Sequence, residues 1–550
     1  MSSLAHSARR IALSLLALAM LGLARPAIAQ GRRAPIDSTW RKNGVCYEIF
    51  VRSFYDSDGD GIGDLKGLIA KLDYVNDGTS SAKHSLGAKC IWLMPIDASP
   101  SYHGYDVTDY YRVNPQYGTN ADFKRLVAAA HKRGIKVLVD LVLNHESSEH
   151  RFFKEAAHDT AAPHRNWFRW SATDPNTKGP WGQPLWHKSP ERNEYYYGIF
   201  DSAMPDLNYD TPAVRAEAMK IGRFWLTEMG VDGFRLDAVP YLVERGNEVM
   251  HTPETHDVLR SFGAMVRKTA PGAFTIGEVT FDNRTLLTYY PDQLDAYFAF
   301  DVSDALLAAV KNRSASKLFI PFLQLQAALP ATRWSPFQRN HDQTRTMTVL
   351  GDDPARARVS ASLLLTLPGL PFVYYGEELG MAGDKPDPRL RTPMQWTRGH
   401  AAGFTTGTPW ETLQPDSLIA NVAAQEGDPS SLLTLYRKLI HLRASNGALA
   451  EGRLLPAQTS SDSVAAFVRR SSTQGVLVVA NLADVPLSNV TVAMAERTLA
   501  AGHYSFTDLL DGTRATELNV GEDGAVRGYV PLPTLAPMHV YVLALRGRRR

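Results

Sequence analysis

The sequence predicts an α/β protein: a (β/α)8 barrel with a small domain inserted after the third strand and an all-β sandwich domain at the C-terminus. Three observations carry that prediction. Eight short apolar strand patterns alternate with helical patterns over roughly 400 residues. The third of them, Lys136–Val142 (KVLVDLV), is near-continuously apolar, as expected of a strand buried on both faces. After about Gly447 the helical patterns give way to short β-rich runs separated by turn residues.

Residues 1–29 precede the predicted fold. Arg9 and Arg10 form a basic start, Ile11–Leu23 an apolar run of 13 residues, and Ala27-Ile28-Ala29 a small-x-small cleavage site. The run is shorter than the about 20 residues needed to span a bilayer, so a cleaved signal peptide and an exported, periplasmic or secreted protein are expected. Cleavage removes three arginines and no acid, leaving 56 cations against 57 anions. Such a balance gives no reason to expect nucleic acid or an acidic membrane as partner, and a monomer is expected. The basic tail Arg546–Arg550 reads as a frayed, solvated end. Cys46 and Cys90, the only cysteines, both fall in apolar strand patterns, and buried thiols and a bridge are both open.

From residue 30 to 143 the barrel begins, with strands expected at Val45–Val51, Lys89–Met94 and Lys136–Val142. The helix expected over Ala121–Arg133 places Phe123, Leu126, Val127 and Ala130 on one face. Residues 144–208 are rich in Trp, Tyr, Pro and Asn, and a connection that long is expected to be functional or a small domain of its own, an inserted domain here. Trp167, Trp170, Trp181 and Trp186 are its candidates for stacking on a ligand or filling its core. The barrel resumes over 209–447. A helix expected over Pro212–Met229 leads through Gly230 into Gly230–Val239 (GVDGFRLDAV) as the fourth strand. Phe274–Val279, Ala296–Asp301, Pro336–His341 and Pro371–Tyr375 complete the eight. Residues 448–550 form the predicted β-domain, with runs at Val464–Arg470, Gly475–Leu482, Asn489–Met494 and His539–Leu545.

In such a barrel the active site lies at the C-terminal ends of the strands. Asp140 and His145 close the third strand, Arg235 and Asp237 the fourth, Glu278 the fifth, and His341 and Asp342 the seventh. Carboxylates clustered on one rim raise each other's pKa values, a cost that catalysis would justify. Paired carboxyls suit glycosidic bond cleavage, one protonating the leaving oxygen while the other attacks or activates water. A metal-dependent hydrolase would want histidines at ligand spacing, and neither HxH nor HExxH occurs.

Four ordered motifs, DLVLNH (Asp140–His145), GFRLDAV (Gly233–Val239), GEV (Gly277–Val279) and RNHD (Arg339–Asp342), together with MPDLN (Met204–Asn208), resemble those of the α-amylase family of glycoside hydrolases (family 13). The likeness runs from about Val45 to Trp396, and within the family it is to secreted bacterial α-amylases of the group between oligo-1,6-glucosidases and neopullulanases. That resemblance implies Asp237 as nucleophile, Glu278 as general acid/base and Asp342 as the third carboxylate, with retention of configuration and carboxyls about 5–5.5 Å apart. It implies that Arg235 holds Asp237 ionised, that His145 and His341 bind hydroxyls of the same glucose, and that Tyr105 supplies a stacking face. Asp106 and Arg345 resemble the family's pair closing the non-reducing side.

The loop Asp56–Asp64 (DSDGDGIGD) sets oxygen-bearing side chains on alternate residues around glycines, a pattern that wraps a hard cation. The same loop is a calcium site in part of the family. Ca2+ held by Asp56, Asp58, Asp60 and Asp64 with the Ile62 carbonyl is therefore expected. The family's other calcium site uses Asn144 and a Lys-x-x-His run, and here Ala238-Val239-Pro240-Tyr241 departs from it.

Three activities compete. An α-amylase cuts internal α-1,4 bonds of starch and malto-oligosaccharides, an exo-acting α-glucosidase trims short oligosaccharides, and a trehalose synthase-like enzyme rearranges maltose. MPDLN, the small Ala238 and the export signal favour the first, with an open cleft. A sugar-binding protein on the same fold would be expected to lack one of the three carboxylates, and all are present.

Overall fold

The computed structural model describes residues 35–496 and 498–548, so the expected signal segment 1–29 lies outside the described residues. Eight parallel strands build one sheet: β1 (Cys46–Ile49), β2 (Cys90–Leu93), β3 (Lys136–Leu141), β4 (Gly233–Leu236), β5 (Phe274–Gly277), β6 (Ala296–Phe298), β7 (Trp334–Ser335) and β8 (Phe372–Tyr374). Spatial order follows chain order from β1 to β7, and β8 lies on the other side of β1. Backbone bonds from Leu370 N to Trp334 O (3.1 Å) and from Phe372 N to Pro336 O (2.9 Å) join β8 to β7 and close the barrel.

Helices fill the crossovers between the strands. In Asn120–Lys132 a reciprocal cap between Thr119 and Asp122 satisfies the first free N–H groups, and Phe123, Leu126, Val127 and Ala130 pack inward. Pro212–Phe224 continues as a π-turn, Trp225–Met229, and stops at Gly230, whose φ of 81° suits glycine.

Side chains alternate along each strand, so the barrel interior is layered. Cys46, Cys90, Trp92, Leu138, Phe274, Ile276, Phe298 and Phe372 form one apolar cluster inside it. Two residues after Cys46 stands Glu48, two after Leu138 stands Asp140, and Arg235 lies in register with Asp140 on the next strand. The alternation that keeps the lower barrel dry thus delivers charge to its C-terminal end.

Several expectations are corrected. The seventh strand occupies Trp334–Ser335 rather than Pro336–His341, because Pro336 has no N–H to continue the ladder. Residues 336–341 instead form a buried connection. The sixth strand ends at Phe298, and the helix Phe300–Asn312 takes up Asp301. Cys46 and Cys90 are opposite in register on β1 and β2 and form a disulfide. Arg546–Arg548 are not a frayed end, since they pair with Ser505–His503 in the last strand.

Within the inserted segment, the helix Arg151–His158 precedes a three-stranded antiparallel sheet of Trp170–Ser171, Tyr195–Tyr197 and Trp186–Lys188. The C-terminal region is an eight-stranded antiparallel sheet with its own core, including Val479, Phe506 and Tyr541. Buried Arg469 ties it to the barrel by donating to Thr366 O at the end of helix Pro354–Thr366 and to Gly452 O. That helix end carries partial negative charge and suits a cation. Among the described residues no helix is long and apolar enough to cross a membrane.

The Cys46–Cys90 bridge spans 44 residues, and closing such a loop typically contributes about 2–4 kcal/mol. The double variant C46A/C90A should lower the denaturant midpoint accordingly while leaving kcat unchanged. An unchanged midpoint would mean that the native packing holds β1 and β2 together without the bond.

Candidate active site

The site grows from the fourth strand. Arg235 is fully buried and its guanidinium meets three carboxylates from three adjacent strands. Nη1 donates to Asp140 Oδ1 (2.8 Å) at the end of β3 and to Asp237 Oδ1 (2.6 Å) just past β4, while Nη2 donates to Glu278 Oε2 (2.6 Å) just past β5. A planar fork presenting several N–H groups is the side chain able to do this. Asp237 and Glu278 are thereby held beside one another with their remaining oxygens free for a ligand.

A second group forms across the barrel. His341 is fully buried, with Nδ1 2.6 Å from Glu48 Oε1, and Nε2 3.0 Å from Asp342 Oδ2 and 2.6 Å from the Tyr105 hydroxyl. Arg391 Nη2 donates to Asp342 Oδ1 at 2.8 Å and to Asp387 Oδ2 at 3.1 Å. The two groups meet through Tyr105, whose hydroxyl also donates to Asp140 Oδ2 at 3.2 Å.

Charge is distributed unequally over these groups. Burial raises the Glu278 carboxyl, opposed by Arg235 and reinforced by the negative charges of Asp237 and Asp342, and the net direction is up. Burial likewise dominates at Asp140, pushed up to about 7 against the pull of Arg235. Burial disfavours ionised Asp342 too, but His341 and Arg391 outweigh it and hold the carboxyl well below the usual range. His341 is driven down by burial yet ends up raised to about 10, because Asp342 and Glu48 flank both ring nitrogens. His145 and His103 are lowered by burial.

Asp237, Glu278 and Asp342 open into one cavity of about 550 Å³, a volume ordinary for a small-molecule site. Its lining includes Tyr105 and His145, the aromatic group Trp181, Phe200 and Tyr241, and Tyr102, His103, Lys385, Asp387 and Arg391 near Asp342. A carboxyl held in its protonated form to higher pH, a second carboxyl beside it and a third on the opposite wall can cleave an acetal bond held between them.

A family model described as "Alpha amylase, catalytic domain" matches residues 48–452. The chain belongs to the alpha-amylase family. Alpha-amylase 3 of Dictyoglomus thermophilum is 39% identical over 450 residues, covering 80% of this chain and 85% of the relative. The trehalose synthase/amylase TreS of Mycolicibacterium smegmatis is 34% identical over 523 residues, covering 83% and 86%. Among solved structures, an alpha-amylase from H. orenii superposes with a TM-score of 0.80 at 37% identity, covering 92% of this chain and all of the other. As a member of the alpha-amylase family the protein is an enzyme of glycoside hydrolase type with an oligosaccharide substrate.

Against this background the expected alpha-amylase residues divide. Asp237, Glu278, Asp342, Tyr105 and His145 line the cavity, and Arg235 and His341 sit directly beneath it. His145 Nε2 contacts Tyr105 O at 3.2 Å. Asp106 is buried behind the wall, accepting from Ser99 Oγ (2.6 Å) and Ser101 Oγ. Arg345 is turned away altogether. Its Nε donates to Leu390 O (3.0 Å), its Nη1 donates to Tyr375 O (2.8 Å), and its guanidinium lies over the Tyr374 and Tyr375 rings. The arginine facing the third carboxylate is Arg391, which the sequence reading missed. Lys385, Asp387 and Arg391 lie in the long connection well past the end of β8 at Tyr374, outside the strand-end positions that marked the other sites. Of the four tryptophans considered, Trp181 alone lines the cavity, at 59% exposure.

In the loop Asp56–Asp64, carboxylate oxygens of Asp56, Asp58 and Asp64 come within 4.8 Å of one another. Asp60 stands outside that group and its Oδ1 instead accepts from Ile62 N at 2.8 Å. An all-oxygen set of this kind fits a hard cation, with three of the four expected carboxylates converging.

The raised His341 has a consequence for stability. Its contribution is fully present below the ordinary histidine value near 6.5 and is lost as pH rises through about 10. NMR of the imidazole should show it still protonated at pH 8, whereas E48Q, lacking one flanking charge, should titrate earlier and lose stability at lower pH. Identical titration in both proteins would remove Glu48 from this role.

Proposed function

We propose that the protein hydrolyses internal α-1,4-glucosidic bonds of starch and malto-oligosaccharides with retention of configuration. The observation that carries this is the placement of Asp237 and Glu278 on neighbouring nitrogens of one buried guanidinium, with Asp342 on the opposite wall. Glu278, with its raised pKa, protonates the leaving oxygen while Asp237 attacks the anomeric carbon. Glu278 then takes a proton from the water that releases the sugar. Asp342, kept ionised by His341 and Arg391, accepts hydrogen bonds from hydroxyls of the sugar being cleaved, and His145 supplies a further contact. Ala238 beside the nucleophile leaves room for an α-1,4 partner, and the relative named an alpha-amylase supports polymer cutting.

A second reading has its own observation. Tyr102, His103, Lys385, Asp387 and Arg391 crowd the Asp342 side of the cavity, which would favour trimming or transfer on short chains. The two separate in a time course. Under the first, iodine staining of amylose collapses before much reducing sugar appears. Glucose from the first minutes with staining intact would establish the second, and trehalose formed from maltose would establish transfer. E278Q should lose ~10²–10⁴-fold in kcat in either case, and near-normal turnover would overturn the assignment.

Calcium is proposed at Asp56, Asp58 and Asp64, where the Asp58 carboxyl is raised by burial and by the neighbouring Asp60, Asp64 and Asp56 charges that a cation would offset. Saturating calcium adds RT ln(1 + [L]/Kd), about 2.7 kcal/mol at a hundredfold excess. A chelator should therefore lower Tm in wild type and leave D58A unmoved. Equal Tm with and without chelator in wild type would refute the site. Export is also proposed, and the Cys46–Cys90 bridge supports an oxidising compartment.

A further inference from the structure

The Asp342 side of the cavity is built by side chains that are themselves held from behind. Tyr102 and Arg391 both line it, with the Arg391 guanidinium 5.8 Å from the Tyr102 centroid. Trp410 stands outside the lining and reaches both of them. Its ring stacks on Tyr102 with centroids 5.4 Å apart and planes 24° from parallel. Its Nε1 donates to Ser53 Oγ at 3.0 Å, and that hydroxyl in turn donates to Arg391 O. One side chain thus backs an aromatic and a cationic part of the same wall.

A strap with little freedom to move carries Trp410 to this position. Asp56 N donates to Phe404 O and Trp410 N to Gly61 O, both at 3.0 Å, so residues 404–410 lie along the loop Asp56–Asp64. The two backbones approach so closely that a Cβ at Gly61 would come within 1.9 Å of Thr408 O, at a φ of 91° that itself favours glycine. Phe50 meets the indole edge to face at 5.9 Å, and the Arg52 guanidinium lies over it at 5.2 Å. Filling that space asks only for a large apolar side chain. The stack on Tyr102 needs a flat ring, and the bond to Ser53 needs an N–H. We propose that Trp410 is a positioning residue for the glucan hydrolysis inferred above, on which this proposal rests: it fixes Tyr102 and Arg391 against the sugar bound beside Asp342.

Fixing the wall acts on binding. Tyr102 without its stacking partner would have rotamers to lose each time a sugar bound, and that ordering cost weakens the complex. Tyr102 neither exchanges the catalytic proton nor attacks, so the loss falls on substrate and transition state alike. It raises KM and leaves kcat little changed. A role confined to stability would instead lower the amount of active enzyme and leave KM alone.

The test compares the steady-state kinetics of W410L and W410F on maltotriose, at a temperature where melting curves show both folded. Turnover of maltotriose by wild type checks the glucan reading by itself, and maltotriose left intact would overturn that reading and this proposal together. W410L loses the flat ring and should raise KM about fivefold, with kcat within about twofold of wild type. W410F keeps a ring able to stack and should recover most of that loss, and what it fails to recover measures the branch through Ser53. Y102L should raise KM as well. Because Trp410 acts largely through Tyr102, the rise in W410L/Y102L should fall well below the product of the two single effects. A wild-type KM in W410L, equal rises in W410F and W410L, or single effects that multiply in the double variant would overturn the proposal.

Discussion

One buried guanidinium organises the catalytic end of this barrel. Arg235 contacts Asp140, Asp237 and Glu278 at once, and so ties the ends of β3, β4 and β5 together. Three carboxylates brought together without it would be uncompensated charges in a low-dielectric interior, and breaking a buried pair of this kind costs several kcal/mol. The arrangement requires Arg235 and Asp237 to point inward together, which a one-residue slip of β4 would reverse. Strand register and catalytic geometry are therefore a single constraint.

The opposite rim is solved differently. His341 is held from below by Glu48 on β1 and from above by Asp342, and Arg391 reaches Asp342 from the connection after β8. Two cations flank this carboxylate, whereas Glu278 shares one cation with two others. The unequal share of positive charge separates their protonation, keeping Asp342 ionised while Glu278 retains its proton to higher pH. Opposite protonation preferences thus emerge from chemically similar side chains.

The inserted sheet contributes through packing rather than charge. Its strand Tyr195–Tyr197 leads into Ile199 and Phe200, which pack with Ala238 and Tyr241 from the segment just after the nucleophile. Trp181, stacked on Phe200 with centroids 5.6 Å apart, extends that wall into the cleft. The shape of the cavity on this side thus depends on contacts between segments some forty or more residues apart in the chain.

Local pattern was enough for most of the scaffold and for the inner site. Alternation in GFRLDAV places Arg235 and Asp237 on one face, and a parallel barrel puts strand ends together, so Asp237, Glu278 and Asp342 were legible as a set. The same logic failed at Pro336, where a missing N–H shortened β7, and at the C-terminal arginines, where pairing with a distant strand ordered a tail of frayed appearance. Pairing of Cys46 with Cys90 needed the register of two strands. The exchange of Arg345 for Arg391 needed the folded connection after β8, because an arginine three residues past Asp342 is near in sequence yet captured by the carbonyls of Leu390 and Tyr375. The sequence by itself determined which side chains the strands deliver to the rim, since period and strand order are local or nearly so. Only the tertiary structure decided which loop residues face them, because a loop side chain goes to whichever partner the rest of the fold brings within reach.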